Sequence, residues 1–82
     1  MKNLFRRLKK KALLKELRSW TAIMAENNLA VTGIEEEIEK HGDELSKVEL
    51  TRFKQLKKNY LESYNQAKME AELIQNQLKE LS

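Results

Sequence analysis

Residues 46–81 read SKVELTRFKQLKKNYLESYNQAKMEAELIQNQLKEL, and the spacing of apolar side chains in this stretch decides the fold class. Leu50, Phe53, Lys57, Tyr60, Tyr64, Ala67, Ala71, Ile74, Leu78 and Leu81 recur at alternating intervals of three and four. That is an a/d heptad seam, the pattern of a helix that packs along its length against another helix. Lys57 is its charged member, and a charge in a seam fixes register or oligomeric state at a cost in stability. At 1.5 Å per residue, a helix over residues 47–81 is roughly 50 Å long. Its start is marked twice. Ser46 and Glu49 form a capping box, and Leu45 with Leu50 occupies the positions of a hydrophobic staple.

Working back from this helix, the spacing predicts a first helix over about residues 3–28. Asn27-Asn28 is its expected stop, because asparagine tolerates the left-handed conformation that ends helices. Thr32 and Glu35 match a second capping box, which predicts a short helix over about 33–41 closed by His41-Gly42, with the glycine at positive φ. The expected fold is all-α: an antiparallel hairpin of two long helices with a short connecting helix, forming a single domain over 1–82. In that register Leu13, Leu17, Trp20 and Met24 lie against Leu50, Phe53, Leu56 and Tyr60. The last helix then outreaches the first by roughly 15 Å. Its far end is left without an intramolecular partner.

Charge is unevenly spread. The net value is +3, yet residues 1–18 hold Lys2, Arg6, Arg7, Lys9, Lys10, Lys11, Lys15 and Arg18 against Glu16 alone. Residues 35–44 hold six carboxylates against Lys40. Within the first segment Met1, Leu4, Phe5, Leu8 and Ala12 share one face; from Leu13 onward the apolar face moves by about a third of a turn. No residue there breaks a helix, so the two halves are read as facing different partners.

Chemistry-bearing patterns are missing. The chain has no cysteine and one histidine, His41, beside a glycine at an expected helix end. Glu35, Glu37 and Glu39 lack the apolar frame that would shift a carboxyl pKa for acid–base work. There is no phosphate loop, nucleophile elbow or metal-ligand spacing. A non-enzyme without cofactor or metal is expected. No run nears the ~18–20 apolar residues of a membrane span, and nothing resembles a secretory leader, which predicts a cytoplasmic location.

The composition, 40% apolar and 35% charged, is lean for a core. A chain near 80 residues draws only ~3–5 kcal/mol from such a core without a staple or a partner. The leading expectation is a protein–protein interaction module, a small regulatory, inhibitory or assembly factor, self-associating into a homodimer. Its contact surface is placed at Tyr60, Tyr64, Ala67, Ala71, Ile74, Leu78 and Leu81. The alternative is a nucleic-acid-binding accessory protein whose eight basic residues at 2–18 track phosphates. A third reading lays the same segment on an anionic membrane surface, with Leu4, Phe5 and Leu8 dipping in, and a further one docks its cations on an acidic protein surface.

Overall fold

The computed structural model describes residues 2–81, and for Lys2 its backbone alone. Two long helices pack antiparallel into an extended hairpin: α1 (Lys2–His41) and α2 (Lys47–Leu81), joined by a 3-10 turn over Gly42–Glu44. The hairpin measures 64 × 15 × 14 Å. Its long dimension matches the ~60 Å that 40 residues of α-helix span.

The expected break after Asn28 does not occur. The reason lies in the seam: Leu13, Leu17, Trp20, Met24, Asn27, Val31, Ile34 and Ile38 continue the alternation of four and three straight through it. All eight are buried or half-buried. Asn27 is a seam residue, buried itself, and its Nδ2 donates to Ser63 Oγ across the pair at 2.8 Å. Thr32 caps nothing; its hydroxyl donates back to the Asn28 carbonyl at 2.9 Å, one turn earlier. The chain leaves α1 at His41, as expected, but Gly42 does so without a positive φ. Leu45 N–H donates to the Gly42 carbonyl at 3.3 Å to close the turn, and Leu45 is extended. The cap of α2 matches its signature, with Glu49 N–H donating to Ser46 Oγ at 3.2 Å.

Extending α1 by more than ten residues moves the turn and with it the register. Asn27 pairs with Ser63 and Glu35 with Lys57, so facing residue numbers sum to 90 and 92. On that register Leu13 faces Leu78, Leu17 faces Ile74, Trp20 faces Ala71 and Met24 faces Ala67. Ile34 and Ile38 stand opposite Lys57 and Phe53. The expected layers of Leu13–Met24 against Leu50–Tyr60 are therefore displaced by about two and a half heptads. Trp20 and Met24 on α1 meet the small Ala71 and Ala67 on α2, a large-to-small complementarity that brings the helices close there. Ala67, with 0% exposure, is the most buried residue described, and Ala71 and Ile74 follow at 5%.

The relative lengths invert as well. With 40 residues against 35, α1 outreaches α2, and the overhang lies at its basic end. Leu81 falls opposite residues near Lys10, which leaves residues 2–9, about 12 Å of helix, past the end of α2.

Candidate interaction surface

The residues proposed from the sequence as a contact surface divide into two groups. Ala67, Ala71 and Ile74 are buried inside the hairpin by its own first helix. Tyr64, Leu78 and Leu81 are half-buried in the same seam. An intact hairpin does not offer these side chains to a partner, because α1 reaches further than the sequence suggested. Tyr60 differs: at the rim of the seam it is exposed and lines an outer hollow.

That hollow runs along one side of the hairpin, between Ala30, Gly33, Ile34 and Glu37 on α1 and Phe53, Leu56 and Tyr60 on α2. Gly33 deepens it by bringing no side chain. A Cβ built at Gly33 would meet nothing within 4 Å, and its φ is not positive. Neither packing nor backbone conformation within the hairpin calls for glycine there. Glycine inside a helix costs about 1 kcal/mol relative to alanine. On the opposite side of the pair, Lys57 Nζ sits 3.1 Å from Glu35 Oε1. Lys57 thus escapes the seam by reaching sideways to a partly exposed carboxylate. Such a pair contributes only ~0–1 kcal/mol, so its effect is on register more than on stability.

The basic segment forms a second surface. Arg6, Arg7, Lys9, Lys10, Lys11, Lys15 and Arg18 are all exposed. Asn3, Arg6, Arg7 and Lys10 surround Leu81, where α2 ends, and cations there complement the negative end of that helix. Leu4 (61% exposed), Phe5 (73%) and Leu8 (59%) lie on the other side of α1, turned away from α2. Met1, the remaining large member of this expected face, falls outside the described residues. Leu8 and Ala12 continue into a groove with Lys11, Leu14, Lys15 and Arg18. Leu29 on α1, and Val48, Met69 and Leu73 on α2, are further exposed apolar residues.

Among the described residues no three His, Asp or Glu side chains gather as a metal site, and no helix is long and apolar enough to cross a membrane. His41 Nδ1 lies 3.6 Å from Glu44 Oε2 at the turn, an exposed pair on the surface of the hairpin end. Neither the known protein families, nor characterised proteins, nor solved structures provide a match to this chain.

Sequence reasoning missed two contributors, Asn27 and Gly33. Asn27 was legible through its place in the seam spacing. Gly33 carried a signal too, since an exposed mid-helix glycine is unfavourable unless something else needs the space.

Proposed function

We propose that this protein is a non-catalytic protein-interaction module, and that the outer hollow beside Gly33 receives a helix of a second copy. The observation that supports this reading is the surplus of exposed surface, with large apolar side chains in it. A compact monomer of this mass exposes roughly 5,100 Å², whereas this hairpin exposes 6958 Å². The surplus exceeds the ~800 Å² that each partner of a standard interface buries. Leu56, Tyr60 and Leu73 are part of that surplus, with more than a third of each side chain in solvent.

A helix lies closest to another where small residues form the floor and larger ones the walls. Ala30 and Gly33 supply the floor; Ile34, Phe53, Leu56 and Tyr60 supply the walls. Docking of two hairpins in this way gives a four-helix arrangement, which shields a wider apolar stripe than two helices can. A module of this kind regulates or assembles by presenting one helix face.

The test is the mass in solution. Sedimentation equilibrium is expected to return twice the 9.7 kDa chain mass. Leu56→Glu, at an exposed position, is expected to return the chain mass with helicity unchanged. A wild-type chain that stays monomeric at high micromolar concentration removes self-association from the account.

A further inference from the structure

We propose that the overhanging N-terminal segment of α1 is a docking element for an anionic lipid bilayer, lying in the interface with Leu4, Phe5 and Leu8 among the acyl chains. Three observations converge on it. First, these side chains are well exposed and occupy one arc of about 100° on the helix. Second, Lys9 and Lys11 stand at the two borders of that arc, where long cationic side chains lay their stems along apolar surface and hold their charges at the headgroups. Arg7 extends the cationic rim beyond Lys11. Third, the segment projects past Leu81, and the end of α2 meets it on the other side, at Asn3, Arg6, Arg7 and Lys10. The apolar arc faces away from the hairpin.

Charge complementarity selects the occupant. A second copy would bring an equally basic segment against this one, and like charges repel. A nucleic-acid backbone matches the cations but offers nothing apolar to three exposed Leu and Phe side chains. An anionic bilayer answers both features at once, acyl chains for the arc and phosphate headgroups for its borders. The acidic residues of the turn end do not cancel the attraction. Glu36 lies about 42 Å along the helix from Leu8, and charges are screened over ~8–10 Å at physiological ionic strength.

The experiment is sedimentation of the full chain with phosphatidylglycerol-containing vesicles and with pure phosphatidylcholine vesicles. Pelleting is expected with the first and not with the second. Leu4→Glu combined with Phe5→Glu should lower the bound fraction at least about tenfold, with unchanged far-UV circular dichroism because the segment lies beyond the helix pair. Replacing Lys9, Lys10 and Lys11 by Gln should abolish the preference for anionic lipid. Failure to pellet with anionic vesicles overturns the proposal, as does pelleting that the Leu4/Phe5 variant leaves intact. Salt-sensitive binding to duplex or single-stranded DNA, with no vesicle binding, reassigns the segment to phosphate backbones. These readouts are separate from self-association, which the Leu56→Glu variant addresses.

Discussion

At the scale of single residues, two polar or small side chains are more informative than the leucines around them. Asn27 sits inside an apolar seam, satisfied by Ser63 at 2.8 Å. A buried asparagine loses stability relative to leucine but penalises every register that leaves its amide unpaired. Lys57 acts in the same sense from α2, bonded to Glu35. Together they pin the two helices against sliding by a heptad. Gly33 has no such task within the hairpin. Since a Cβ there meets nothing within 4 Å, Gly33→Ala is expected to stabilise the chain by about 1 kcal/mol. In thermal unfolding that is an upward shift of roughly 4–8 °C. A fall in melting temperature would mean that filling the space at Gly33 removes more stability, through lost docking of the second copy, than the helix gains.

At the scale of elements, the start of α2 and the exit from α1 at His41 were legible, and the continuity of α1 through Asn28 and Thr32 was not. The start of α2 combines a cap, a glutamate three residues on and a flanking leucine pair, and the structure places Glu49 N–H on Ser46 Oγ. Ser46→Ala is therefore expected to cost ~1 kcal/mol, read as a lower urea midpoint with an unchanged slope; no change would mean that water caps the helix as well. The misread stop at Asn27-Asn28 has a physical cause. Asparagine is neutral locally, and Thr32-x-x-Glu35 is a valid cap pattern, so propensity favoured two helices. Tertiary packing decided otherwise, because the seam from Leu13 to Ile38 stays in phase only if the helix is unbroken. Local signals report what a segment can do alone; the phase of the seam reports what its partner requires. The antiparallel arrangement was legible in the brief connections between helices, whereas its register depended on where α1 ended.

At the scale of the molecule, that one stop decides where the free surfaces are. Had α1 ended at Asn28, the far half of α2 would be bare and Ala67, Ala71 and Ile74 would face a partner. With α1 reaching His41, those residues form the core, and the unpartnered surface moves to the hollow beside Gly33 and to the basic overhang. Of the candidate surface read from the sequence, Tyr60 is exposed, Tyr64, Leu78 and Leu81 are half-buried, and Ala67, Ala71 and Ile74 are buried. The most direct measurement is the distance between spin labels at Lys11→Cys and Glu36→Cys, both exposed positions in a chain with no native cysteine. An unbroken α1 predicts a single narrow distribution near ~38 Å, from the 1.5 Å rise per residue. A distribution centred well below that, as a chain folding back after Asn28 would give, contradicts the account.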